Sequence, residues 1–103
     1  MEDEFIFQVL EIVAEIPKGK VASYKQIAIL ANRNKNARLV GKILSHASLY
    51  GQYPCHRVVN SVGRLAPHWN EQRELLIQEG VHFKKNGNVD MKTYQWQTSN
   101  KKS

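Results

Sequence analysis

Apolar residues Phe5, Val9, Ile12, Val13 and Ile16 recur at helical spacing, with Glu4, Glu11 and Glu15 on the other faces. This pattern predicts an amphipathic helix over residues 2–16, stopped by Pro17-Lys18-Gly19-Lys20. Val21-Ala22 reads as a short extended piece. Ser23 with Gln26 three residues on has the form of a capping box. It opens a helix over 24–31, buried through Ile27, Ala28 and either Leu30 or Ala31. A polar turn at 32–35 follows. The next helix starts at Asn34 or Lys35 and runs to about Ala47. Val40, Ile43, Leu44 and Ala47 face its core side, and Arg38, Lys42 and Ser45 face outward with Gly41 beside them.

Beyond a loop at 48–53, Arg57-Val58-Val59 begins a strand, and residues 58–65 pattern as a hairpin turning at 60–63. Trp69 is either a core residue or a lid over a pocket. Asn70 is placed to cap a helix over 71–78 that buries Leu75 and Leu76, with Gly80 at its end. Glu79 then falls at a helix C-terminus, where the dipole disfavours a carboxylate; a partner such as a histidine would account for it. A second small hairpin, 81–83 with 89–91, turns at Asn86-Gly87. Tyr94 and Trp96 close the domain as an aromatic pair, and 97–103 is a polar tail. The expected fold is mostly α with small β hairpins, one domain over 1–96. Two short helices with a tight turn and a following hairpin make a winged helix-turn-helix.

Composition narrows the function. With 103 residues and 42% hydrophobic content, the chain suits one globular domain. No apolar run of about 18 residues exists to span a membrane. The acidic start, Met1-Glu2-Asp3-Glu4, is unlike a secretory signal, and a cytoplasmic setting is expected. One cysteine and four histidines without ligand spacing predict no disulfide, no metal and no cofactor. Charge is more telling than the net +6: from Ile16 to Asn70 there is no Asp or Glu, while Lys18, Lys20, Lys25, Arg33, Lys35, Arg38, Lys42, Arg57 and Arg64 fall within. A block of one sign points to a polyanion, most simply nucleic acid. The outer face of the third helix carries small residues, Ala37 and Gly41, around Arg38. That face suits close approach to a narrow groove with one Arg as a wedge.

The single cysteine lies in Tyr53-Pro54-Cys55-His56-Arg57-Val58-Val59. Pro54 fixes its own φ and donates no hydrogen bond, so Cys55 is expected in a tight turn. A cysteine reacts as its thiolate, which a neighbouring base or cation makes available. A bare Cys-His pair is more often a small buried cysteine beside an unrelated histidine, so its surroundings decide.

Those surroundings resemble the O6-alkylguanine-DNA alkyltransferases. Pro54-Cys55-His56-Arg57-Val58-Val59 is similar to the family's active-site motif. Residues 19–28 (Gly-Lys-Val-Ala-Ser-Tyr-Lys-Gln-Ile-Ala) are similar to the segment leading into its first recognition helix. Ala37-Arg38-Leu39-Val40-Gly41 is similar to its minor-groove helix, and Leu75-Leu76-Ile77-Gln78-Glu79-Gly80 to the segment carrying its third catalytic residue. The likeness covers roughly residues 5–83. Short length and the ending at 89–96 look more like the alkyltransferase-like proteins, which usually have Trp or Ala where this chain has Cys55.

The resemblance implies a catalytic set of Cys55, His56, Glu79 and Tyr24. Cys55 attacks the alkyl carbon, His56 takes the thiol proton through a water, Glu79 orients the imidazole, and Tyr24 supplies a proton to the leaving guanine. It implies DNA contacts at Ser23, Tyr24, Lys35, Ala37, Arg38, Gly41 and Lys42, and a substrate pocket at Pro54, Cys55, Val58 and Trp69. The implied partner of this monomer is double-stranded DNA containing O6-alkylguanine, with nucleotide-excision-repair proteins as further partners. Departures from the family fall at Ala47, where an Asn is frequent, at Leu39, where a smaller residue stands, and in a shortened loop, Arg64-Leu65-Ala66-Pro67-His68-Trp69. Three readings follow, in order: a single-turnover methylated-DNA–protein-cysteine methyltransferase, a lesion sensor with inert Cys55, and a winged-helix regulator.

Overall fold

The structure, a computed structural model, describes residues 3–33 and 35–98. In chain order these form α1 (Asp3–Ala14), β1 (Ala22–Ser23), α2 (Tyr24–Leu30), α3 (Ala37–Ser45), a 3-10 turn at Ala47–Leu49, another at Cys55–Arg57, β2 (Val58–Val59), α4 (Glu71–Gln78) and α5 (Met91–Tyr94). The expectations at Glu2 and Asn34, and for the tail at 99–103, lie outside the described residues. As expected, the fold is mostly helical, but it has less β structure than the hairpin patterns suggested.

The helices form where their local chemistry favours them. The apolar stripe of α1 is wider than the periodicity implied: Ile6 and Leu10 are buried along with Phe5, Val9 and Val13. Ser23 and Gln26 make the capping box in both directions, Gln26 N–H to Ser23 Oγ at 3.0 Å and Ser23 N–H to Gln26 Oε1 at 3.3 Å. The third helix begins later than expected, at Ala37, and Val40 and Ile43 are its buried residues. Ala47 is buried in the 3-10 turn that follows. Asn70 does not cap α4. Its φ of −65° and ψ of −31° are already helical and its side chain makes no cap hydrogen bond, whereas a capping side chain needs an extended backbone to reach back over the first turn. Gly80 ends α4 as expected, with φ +92°.

The first expected hairpin does not form on β2, and the second forms only in part. β2 pairs in parallel with β1, Ala22 opposite Val58 and Ser23 opposite Val59. After β2 the Asn60 side chain accepts the N–H groups of Val62 (3.0 Å) and Arg64 (2.7 Å), curling the chain into a tight loop. Gly63 then accepts the Val89 N–H at 2.8 Å, so the segment pairs forward in the chain and not back on β2. The second hairpin shrinks to one antiparallel bridge, Phe83 with Val89, and Met91 starts α5.

Side-chain alternation along the two strands divides the core. Ala22 and Val58 join the cluster built from α1, α2 and α3. Val21 and Val59 join a second cluster with Leu76, Val81 and Val89. The chain end adds to the same sheet: Val21 N–H donates to Tyr94 O at 2.9 Å and Trp96 N–H to Val21 O at 2.6 Å. Gln26 Nε2 also donates to Trp96 O at 2.7 Å, so the α2 cap and the C-terminal segment share a residue. The short strands thus act as a spine whose parallel register sets Tyr24, just after β1, level with Asn60, just after β2.

A side chain at Gly63 would meet the Val89 carbonyl oxygen, and the residue holds φ +88°. Gly63→Ala is therefore expected to lower unfolding free energy by about 3 kcal/mol. Urea denaturation of the variant against the parent chain checks this, and an unchanged midpoint would contradict it.

Candidate functional site

Cys55 sits where the motif suggested, in a tight turn. Cys55 N–H donates to Tyr53 O at 2.8 Å and Arg57 N–H to Pro54 O at 3.0 Å, closing one 3-10 turn before β2. The thiol is half-buried against the first core cluster. Burial pushes its pKa up, because a low-dielectric surrounding disfavours the thiolate. Burial also raises the Tyr24 phenol, and the charge of an ionised Cys55 adds to this. The phenol therefore keeps its proton at neutral pH.

Glu79 is the best-held charge of the site. Its Oε2 lies 2.7 Å from His56 Nε2 and accepts Arg57 Nη2 at 2.9 Å. Its Oε1 accepts Arg57 Nε at 3.0 Å and the Gly19 N–H at 3.4 Å. Burial alone would push this carboxyl up. The hydrogen bonds from Arg57, His56 and Gly19, with the His56 charge, outweigh burial and hold it at about 2. An ionised carboxylate only accepts, so His56 Nε2 must carry hydrogen. In the neutral ring, Nδ1 is then the free lone pair, on the residue adjoining the thiol. The expected His56 and Glu79 are thus brought together, with Cys55 next to His56 in the same turn, and the carboxylate at the helix C-terminus has its histidine partner.

The residues expected to face DNA are distributed unevenly. Tyr24, Lys35, Ala37, Arg38 and Gly41 line one open cleft of about 600 Å³, together with Lys25, Asn60 and Ser61. Gly41 keeps this cleft open beside the tyrosine: a Cβ there would stand 3.7 Å from the Tyr24 ring and fill that space. Lys42 lies apart, in a neighbouring depression with Ile43, His46 and Tyr50. Ser23 is buried, its Oγ accepting the cap hydrogen bond. Val58, expected in the substrate pocket, is a core residue at 1% exposure, because the strand turns it inward. Pro54 and Trp69 are half-buried, and Trp69 belongs to neither core cluster.

Sequence reasoning missed two residues. Arg57 grips Glu79 with two nitrogens and donates Nη1 to Ile16 O at 2.8 Å. Its signal was present: it directly follows His56, and no acid exists nearby in sequence to pair with it. Gln72 is wholly buried and hydrogen-bonded to the turn that holds His56; a lone Gln within a polar run carries no such signal. Among the described residues no cluster of His, Cys, Asp or Glu could hold a metal, and no helix is long and apolar enough to cross a membrane.

Residues 4–81 match the family described as 6-O-methylguanine DNA methyltransferase, DNA binding domain. The chain is 39% identical over 98 residues to the DNA base-flipping protein of Escherichia coli K12, covering 92% of this chain and 76% of that one. Its structure is similar to Schizosaccharomyces pombe Atl1 in complex with damaged DNA containing O6-carboxymethylguanine. That match has a TM-score of 0.83 at 32% identity and covers 95% of this chain and 99% of that one. Mycobacterium tuberculosis OGT in complex with DNA is similar over 77% of this chain and 51% of its own, with a TM-score of 0.66 at 32% identity. These likenesses agree with the alkyltransferase-type fold that the motifs implied.

The Glu79 carboxyl titrates lower in the folded chain, about 2, than its ordinary 4.5. A depressed carboxyl contributes stability that is present above its unfolded value and lost as pH falls through the folded one. Melting temperature is therefore expected to drop more steeply from about pH 5 to about pH 2 in the parent than in Glu79→Gln. Parallel slopes in thermal melts would contradict the network.

Proposed function

The chain belongs to the 6-O-methylguanine DNA methyltransferase family through its DNA-binding domain, and from this we propose that it turns O6-alkylguanine out of duplex DNA and accepts the alkyl group on Cys55. The observation that carries the proposal is the 2.7 Å contact of His56 with Glu79, one residue from the thiol. A cysteine kept only for packing needs no such dyad beside it.

The DNA-facing part of the proposal rests on the cleft at α3. Arg38 is exposed near the start of that helix, with Ala37 and Gly41 leaving room around it. Small residues let the helix approach the minor groove, and the Arg side chain fills the gap that an extruded base leaves. Lys25 and Lys35 border the same cleft, and their charges would serve phosphate contacts.

For the chemistry, the thiol proton passes to His56 Nδ1, and Glu79 holds the resulting imidazolium through Nε2–H. Cys55 Sγ forms a bond to the alkyl carbon as the bond from that carbon to guanine O6 breaks. The electron pair leaves with guanine, which Tyr24 protonates. The thioether is stable, so each molecule reacts once and needs no cofactor.

A second reading, recognition without transfer that marks the lesion for nucleotide-excision-repair proteins, has its own support. Burial raises the Cys55 thiol, and the likeness to S. pombe Atl1 with damaged DNA covers 95% of this chain.

Intact-mass analysis after incubation with a duplex carrying O6-methylguanine separates the two. The first reading predicts a gain of one methyl group, absent in Cys55→Ala, which still binds. No gain at saturating DNA leaves the second reading, provided the lesion duplex is preferred. Equal affinity for modified and unmodified duplexes contradicts both. Under either reading, Arg38→Ala is expected to weaken lesion-duplex binding about tenfold. Fluorescence anisotropy would also show affinity falling steeply with salt, since lysines and arginines release counterions from phosphates on binding; an Arg38→Ala affinity equal to the parent's would remove Arg38 from the flipping role.

A further inference from the structure

Gln72 lies on α4 and is 0% exposed. A buried amide must be hydrogen-bonded, and this one makes three hydrogen bonds to two stretches of chain. Its Nε2 donates to His56 O at 3.1 Å and to Val58 O at 3.0 Å, while its Oε1 accepts the Ala66 N–H at 2.7 Å. The partners belong to the Cys55–Arg57 turn, to β2 and to the loop at 64–69.

Gln72, Leu76 and Glu79 stand at i, i+4 and i+7, on one face of α4. Leu76 is fully buried in the second core cluster, which anchors that face. The helix therefore holds His56 at two points: its carbonyl through Gln72 and its ring through Glu79. The same Gln72 side chain tethers the loop at 64–69 by the Ala66 N–H. Beyond the tether the loop is exposed at Pro67 and His68, and His68 adopts the left-handed φ of +66°.

We infer that Gln72 is a positioning residue for lesion recognition, setting the register between the Cys55–His56 turn and the loop at 64–69 and so the adducts that the pocket admits. The inference rests on the proposed lesion binding, which both readings share. An apolar residue of similar volume could fill the same space without needing partners. A buried amide with three hydrogen bonds to two stretches of chain instead specifies one geometry, because any other leaves polar groups unpaired.

The test compares the whole chain with two variants on a duplex carrying O6-methylguanine, one carrying a bulkier O6-alkylguanine, and one unmodified. Gln72→Met keeps the volume and removes all three hydrogen bonds. Ala66→Pro removes only the N–H accepted by Oε1 and leaves α4 intact. Both are expected to lower the ratio of lesion to unmodified affinity about tenfold, with the unmodified duplex bound within about twofold of the parent. The loss should be smaller for the bulkier adduct, which a general loss of stability would not produce. A parent-like ratio in a folded variant overturns the inference, as does an equal loss on all three duplexes. If Gln72→Met does not fold, Ala66→Pro decides alone. A parent chain without lesion preference overturns the proposed function and this inference together, whereas preference kept in the variants overturns the inference only.

Discussion

One carboxylate organises the site. The two oxygens of Glu79 meet Arg57 twice, His56 once and the Gly19 N–H once. Arg57 also binds Ile16 O, so the end of α4, the turn after α1 and the Cys55 turn meet at one charge. A carboxylate at a helix C-terminus is unfavourable alone; the guanidinium opposite makes the position tenable. Breaking such a partly buried pair leaves an unpaired charge and costs more than an exposed pair would. The interaction that fixes the imidazole for chemistry is thus also one that closes the fold.

The parallel pairing of β1 with β2 does for geometry what Glu79 does for charge. It sets Tyr24, at the head of α2, level with Asn60, which follows β2, and both line the same cleft. Between the strands the chain runs through α2 and α3, whose outer face holds Arg38 among small residues. Acidic side chains are confined to the first fifteen residues and to the segment from Glu71 onward. Charges of one sign around the cleft raise the local concentration of a polyanion, and no carboxylate lines that cleft to oppose it.

Much of this was legible in the residues because it is local. The Ser23–Gln26 box, the stripe of α1 and the glycine stop after α4 depend on neighbours a few positions away, and each formed. Glu79 was legible as an anomaly, a charge in the wrong place for its helix, and the histidine partner expected for it is present. The failures are non-local. Val58-Val59 pairs with a strand far earlier in the chain, which alternation cannot reveal, so a hairpin was expected instead. Asn60 and Gly63 resemble hairpin residues, but they form a side-chain-closed loop that pairs forward with Val89. Gln72 lies in Glu71-Gln72-Arg73-Glu74, a run that looks solvated, and its partners, His56, Val58 and Ala66, lie outside that run. Val58 looked available for a pocket until the strand's orientation placed it in the core.

The account stands on Glu79 holding His56 with hydrogen on Nε2, which leaves the Nδ1 lone pair of the residue after Cys55 to take a proton. Nitrogen-15 NMR of the imidazole rings, at a pH where His56 is neutral, measures this directly. The account predicts His56 as the Nε2–H tautomer in the parent chain, with that preference weakened in Glu79→Gln. A His56 ring carrying its hydrogen on Nδ1, or exchanging evenly between the two nitrogens while Glu79 is ionised, would contradict it.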